Sequence, residues 1–309
     1  MIVKHGRGWL AMLFQVQGSS LAQTFPRILV ITGFSSIVTT AHIANWVDVY
    51  SLTVTPFQLI GVALGIFLGF RNNAAYDRYW EGRKLWGSLV NTTRSFTRQV
   101  TTLINSDQTV ELRAFQQEVV YKTIGYVHAL RHHLRNTDDE ADIRAFFTPD
   151  DLFRMKGQKN RPLFILRLLG ERIRWAWREG WIHDYHMNLL EGSLESLTNI
   201  QGACERIKNT PIPFAYTILM HRIVAIYCFA LPFGILDSVG ALTPVVVLLI
   251  SHAFFGLDDI GDEIEDPFGT EPQHLPLFTL CRTIEVNLLQ YLDETNLPPM
   301  IVPVDDILA

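Results

Sequence analysis

Cysteine is scarce in this chain of 309 residues: Cys204, Cys228 and Cys281 lie far apart and form no CxxC pair. An odd, scattered set excludes a disulfide framework and a zinc ribbon, and it suits a chain facing a reducing compartment. A basic excess is lacking too. Lys and Arg number 26 against 31 Asp and Glu, and the net charge of −5 argues against nucleic acid as a partner of the whole chain. Neither a GKS/T phosphate loop nor a GxSxG elbow occurs, so an enzyme would have no visible nucleophile or cofactor site, and no cofactor is expected. Strand-like alternation and internal repeats are missing as well, which leaves an all-helical reading.

The most informative absence is of charge over long stretches. Residues 28–46 and 52–70 contain no acid, Lys or Arg, and neither do residues 239–257. Nineteen such positions rise about 28 Å as a helix, close to the hydrocarbon thickness of a bilayer. A fourth candidate, 213–236, is interrupted by His221 and Arg222. With 48% apolar residues and positive mean hydropathy, the chain reads as part membrane and part water-soluble.

The connectors 47–51 and 237–238 carry Asp48 and Asp237 but no base, whereas 71–212 holds 21 of the 26 Lys and Arg residues. This positive-inside bias predicts an all-α membrane protein of four transmembrane helices in two hairpins, both termini cytosolic. The expected segments are 1–27 (cytosolic or interfacial), 28–70 (first hairpin), 71–212 (inserted cytosolic helical domain), 213–257 (second hairpin) and 258–309 (cytosolic). Near the start, Lys4 and Arg7 precede WLAMLF, but that run is short for a signal peptide. An amphipathic helix at the membrane face, anchored by Trp9 and Phe14, fits better. Apolar spacing predicts further helices at 74–104, 110–136, 163–179, 185–208 and about 275–294. A shorter one begins at Thr148, where T-P-D-D is a capping signature.

In the second span Gly61, Gly65 and Gly69 recur every four residues and form a bare stripe, a device that lets helix backbones approach closely in a bilayer. Beside it run Val62, Ile66 and Phe70 at the same spacing. Such a stripe at a shared axis would make an apolar constriction that passes ions when wetted. The same stripe is also the default surface of a span against lipid or protein.

Several separated stretches agree in order with one family. FLGFRNNAAYDRYWEGRKLWG (67–87), TPIPFAYT (210–217), Arg222 in the third span and EDPFGT (265–270) together resemble the bestrophin family in its bacterial branch. The resemblance covers nearly the whole chain. It implies an ion channel: a homopentamer of the bacterial inner membrane around one pore, lined by the second span. The family's neck of three bulky apolar residues before an Arg-Asn pair maps onto Val62, Ile66 and Phe70. Ile66 is aliphatic where animal members carry an aromatic. A second, cytosolic constriction is placed at Tyr185 by alignment with GACER (202–206). Permeant monovalent ions, membrane lipid and copies of itself are the implied partners. Animal members pass chloride and bacterial ones are associated with cations; the acidic balance here leans toward cations.

In animal members an acidic run after PFG clasps calcium. Here Thr270, Glu271, Pro272, Gln273 and His274 follow, and one carboxylate cannot supply calcium's several oxygens, so no calcium activation is expected. Asp258, Asp259, Asp262, Glu263, Glu265 and Asp266, before PFG, match no EF-hand and read as ion-paired acids. His128, His132, His133, His183 and His186 complete no zinc motif and read as exposed polar positions, with no metal site. His221 and Arg222 read first as a structural ion pair with an acid near Asp258 to Asp266, and second as part of an ion path. Two other functions remain open: a membrane-anchored sensor or scaffold that passes no ion, and a secondary transporter, for which Pro56 and Pro244 would break paired spans.

Overall fold

The computed structural model describes residue 1 and residues 18–46, 52–137, 139–304 and 306–308. The expected interfacial helix at Trp9 and Phe14, and the loop with Asp48, lie outside the described residues. The helices are α1 (Leu21–Ile43), α2 (Val54–Leu103), α3 (Thr109–Arg135), α4 (Ala141–Arg144), α5 (Pro149–Met155), α6 (Arg161–Arg178), α7 (Asp184–Asn209), α8 (Phe214–Val239), α9 (Thr243–Glu265) and α10 (Leu277–Tyr291). Among the described residues no strand forms, and only two isolated bridges occur, Ile104 with Ile182 and Val304 with Ile307.

The chain divides into two compact units. One, residues 4–79 and 211–266, contains α1, the first half of α2, α8 and α9. Its core joins Ile28, Ile31, Phe57, Leu64, Leu68, Val224, Leu231, Val247 and Phe255. α1 and α9 pack on each other, and their buried residues include small or hydroxylated ones, Thr24, Ser35, Thr39, Ser251 and Gly256, which suits close helix packing. Gly240, at φ +60°, turns the chain between α8 and α9, a backbone state open to glycine at little cost.

The other unit, residues 1–3, 80–210 and 267–309, is built around α3. Positions 122–131 of α3 are all buried, enclosed by neighbours that include α6 and α10. Buried Lys122 is met there by Glu118 at 2.8 Å and Asp151 at 3.0 Å. Thr148 and Asp151 cap α5 reciprocally, as T-P-D-D predicts.

Three helical stretches are long and apolar enough to cross a membrane: Leu21–Ile43, Val54–Leu103 and Phe214–Glu265, the last comprising α8, a short 3-10 turn and α9. Only 28%, 22% and 28% of their most apolar windows are buried, so most of that apolar surface faces outward, as in a helical membrane protein. Two departures from expectation bear on the spans. The second span and the helix predicted from residue 74 are one continuous helix, because Arg71-Asn72-Asn73 contains no breaker and the Arg71 charge is met locally. Pro56 and Pro244 lie in the first turns of α2 and α9, where a missing N–H leaves no bond unmade, so neither breaks a span.

Candidate pore-lining face and its ion cluster

In residues 54–79, α2 has two opposed faces. Phe57, Leu64, Leu68, Arg71 and Ala75 are buried at three-, four- and seven-residue spacing. Roughly 170° around the helix from them, by 3.6 residues per turn, lie Val62, Ile66 and Phe70. These are 65%, 52% and 65% exposed. Exposed Asn73 and Asp77 continue the same stripe. Leaving one such apolar side chain in bulk water forgoes about 1.5–3 kcal/mol, so the stripe calls for lipid, another subunit or a confined axis.

The glycine stripe lies between these faces, and its members differ. A Cβ at Gly61 would come within 2.7 Å of Tyr227 Oη, so this glycine serves packing inside the chain. A Cβ at Gly65 or Gly69 would meet nothing within 4 Å among the described residues.

One residue past Phe70, the chain buries a charge. The Arg71 guanidinium donates to Asp258 Oδ1 at 2.7 Å and to Asp262 Oδ1, four residues apart on α9. Its side chain is closed to solvent, as is that of Asp258. Asn72 adds a bond to the Leu257 carbonyl at 2.9 Å, and a Cβ at Gly261 would meet Asn72 Oδ1 at 2.4 Å. His221 bonds Asp258 through Nδ1 and faces Asp262 Oδ2 at 3.3 Å through Nε2. The contact with acids expected of His221 is present, while Arg222 is exposed and takes no part in it. Glu263 accepts from Gln23 at 3.0 Å, and Glu265 from the Ile212 amide at 2.8 Å.

The segment after PFG is closed by hydrogen bonds of its own unit. Arg135 donates to the carbonyls of Phe268 and Leu275, both at 3.3 Å, while the Glu271 amide donates to His274 Nδ1. Phe268 is fully buried on Gly82, where a Cβ would sit 3.1 Å from its ring.

Of the histidines expected at exposed positions, His128, His132, His133 and His186 are buried or half-buried. His128 is buried, stacked on Phe146 and 3.4 Å from Glu285, because its stretch of α3 is enclosed on all sides. His132 meets Thr137 at 2.7 Å and Asp142 at 3.2 Å, and His133 meets Glu205 at 3.0 Å. Burial, and then the Arg131 charge, hold the His132 imidazole below its ordinary pKa. Burial alone would raise the Asp142 carboxyl, but the hydrogen bond and charge of Arg131, followed by His132, hold it below the usual value. His183 is exposed, as expected; its Nδ1 accepts from the Tyr185 amide at 3.3 Å, and its ring stacks on Tyr185, itself 81% exposed at the start of α7. Burial raises the Cys204 and Cys281 thiols to about 12, leaving them unreactive.

Fold and site together define a helical membrane protein whose longest helix turns an uncovered apolar face outward beside a buried ion cluster. The chain belongs to the Bacterial/Fungal Bestrophin family, whose model matches residues 1–290. It is 42% identical over 301 residues to the "Voltage-dependent anion channel-forming protein RSc3414" of Ralstonia nicotianae, covering 96% of each chain. It is 37% identical over 305 residues to the similarly named YneE of Escherichia coli, covering 98% of each. A crystal structure of a bacterial Bestrophin homolog from Klebsiella pneumoniae superposes with a TM-score of 0.81 at 33% identity, covering 88% of this chain and 99% of that one. A point variant of the Klebsiella protein gives 0.83 at 34%, covering 90% and 100%.

Two residues with roles here were not singled out from sequence. Asp77 continues the apolar stripe at helical spacing, a readable signal. Arg135 gave none, because its partners are backbone carbonyls more than 130 residues away.

Proposed function

We propose that this chain is one subunit of a homopentameric ion channel, not an enzyme, and that ions pass down their gradient through a neck of Val62, Ile66 and Phe70. The observation that carries this reading is the opposition of faces on α2: one stripe builds the subunit core, and the other is bulky, apolar and uncovered. Around a five-fold axis that second stripe becomes three apolar rings, a constriction that conducts when wetted. Gly65 and Gly69, open beside it, suit close approach of a neighbouring subunit. In this reading α1, the first part of α2, α8 and α9 are four spans of the bacterial inner membrane, against lipid. Both termini and segment 71–212 are cytosolic, as the distribution of Lys and Arg supports. Tyr185, exposed at the head of α7, forms the second, cytosolic constriction.

Selectivity is for monovalent cations in this reading. Asp77 follows Phe70 on the same face, and five copies make a carboxylate ring, the usual cation-selecting device. A second reading, anion selectivity, is favoured by the names of the relatives. Conduction is independent of calcium: the segment after PFG offers one carboxylate, Glu271, and the carbonyls of Phe268 and Leu275 on either side of it already accept from Arg135. The transporter alternative loses its supporting feature, since Pro56 and Pro244 start helices.

The test is the reversal potential of the purified oligomer in a planar bilayer under a sodium chloride gradient. A shift toward the sodium potential, reduced by Asp77→Asn, supports the cation reading. A shift toward the chloride potential supports the anion reading. Silence from folded oligomer at all voltages favours a scaffold that passes no ion.

A further inference from the structure

Arg71 alone could hold Asp258 and Asp262 together, yet the cluster adds an imidazole with a carboxylate oxygen at each ring nitrogen. His221 Nδ1 meets Asp258 Oδ2 and Nε2 faces Asp262 Oδ2, while the Oδ1 atoms of the same two acids bond Arg71. Arg71, Asp258, His221 and Asp262 therefore close a ring in which basic and acidic side chains alternate. A neutral imidazole donates at one nitrogen and turns a lone pair outward at the other; only the imidazolium donates at both. With His221 protonated, two cations face two carboxylates. Without that proton, the ring carries one uncompensated negative charge and sets a lone pair against a carboxylate.

The proton has a way in, because the His221 side chain is 38% exposed while those of Arg71 and Asp258 are closed. The other charges around His221 are Asp259 on α9, toward which Arg27 of α1 acts, and Arg222, exposed beside it on α8. Arg71 follows Phe70 directly, so whatever holds Arg71 also holds the Phe70 turn of α2.

We infer that His221 is a proton-sensitive positioning residue for the neck. Protonated, it completes the ring, fixes α2 against α8 and α9, and keeps Phe70 where it narrows the path. Deprotonated, it slackens that hold and conduction rises. The inference rests on the channel reading above and adds a regulator to the same site.

The test is monovalent-ion flux through the purified oligomer in phosphatidylcholine vesicles at about pH 5.5 and about pH 8, either side of the range where imidazoles ordinarily titrate. The wild type is expected to pass about fivefold more ions at the higher pH, the low end of usual coupling between sites. His221→Gln gives the high flux at both pH values, and His221→Arg, permanently charged, gives the low flux at both. Arg222→Gln keeps the wild-type dependence. A wild-type profile retained by folded His221→Gln, or more flux at the lower pH, overturns the inference and leaves the channel reading standing. Folded wild type silent at both pH values overturns both.

Discussion

Arg71 Nη1 lies 2.7 Å from Asp258 Oδ1 with both side chains closed to solvent, which ties the turn of α2 after Phe70 to the far end of α9. Removing one partner of such a pair leaves a buried charge unmet, a loss of about 3–5 kcal/mol in other proteins. The candidate neck is therefore anchored on the side away from its apolar stripe, and its exposed residues can be changed without touching the anchor.

The first prediction uses that separation. Val62, Ile66 and Phe70 replaced together by Ala leave the subunit core intact, so the variant assembles and its conductance in a planar bilayer rises. Lowering the wetting barrier by about 1.4 kcal/mol gives roughly tenfold. Unchanged flux through a well-assembled triple variant would remove these residues from the pore.

Gly65→Ala separates packing within a chain from packing between chains. Among the described residues no packing neighbour lies within 4 Å of the added methyl, and alanine gains up to about 1 kcal/mol over glycine in a helix. The subunit keeps its fold while the oligomer weakens, seen as dissociation at lower detergent or higher temperature in size-exclusion chromatography. An oligomer as stable as the wild type would mean that the glycine stripe is not a subunit contact.

Acid sensitivity is expected in the unit built on α3. His132 has a folded-state pKa below its unfolded value, so its contribution to stability is present above about pH 6.5 and is lost as pH falls below that. Asp142, also depressed, adds a loss at lower pH, below about 3.9 and down through its folded value. Thermal unfolding followed from about pH 7 to about pH 5 therefore falls more steeply for wild type than for His132→Gln. Parallel curves would contradict this assignment.

The segment after PFG supplies the last prediction. Arg135→Ala removes two bonds from a charged donor to carbonyls, which costs about 1.5–3 kcal/mol for a typical bond of this kind, and lowers the melting temperature. In the wild type, added calcium or a chelator changes neither stability nor flux. A calcium-dependent rise in either would show that oxygens other than the Glu271 carboxylate bind the ion.

Much of this was legible along the chain because it depends on local periodicity. Long runs without charge name the apolar helices, Thr148 with Asp151 names a cap, and four-residue spacing puts Val62, Ile66 and Phe70 on one side of a helix. The continuity of α2 through Arg71 was not legible. A charge at the end of an apolar run reads as a terminus unless its partners are known, and those partners lie 187 and 191 positions later.

By itself, then, the sequence determined the helical class, the apolar segments and the stripe, since each follows from the period of one helix. Tertiary structure decided which stripe faces the core, that Gly61 is filled by Tyr227 while Gly65 and Gly69 stay open, and that Arg71 and His221 share the same two carboxylates. Those facts depend on which helices meet and at what height, and burial makes the meeting consequential: an unmet charge in the core of α2 would have no water to fall back on.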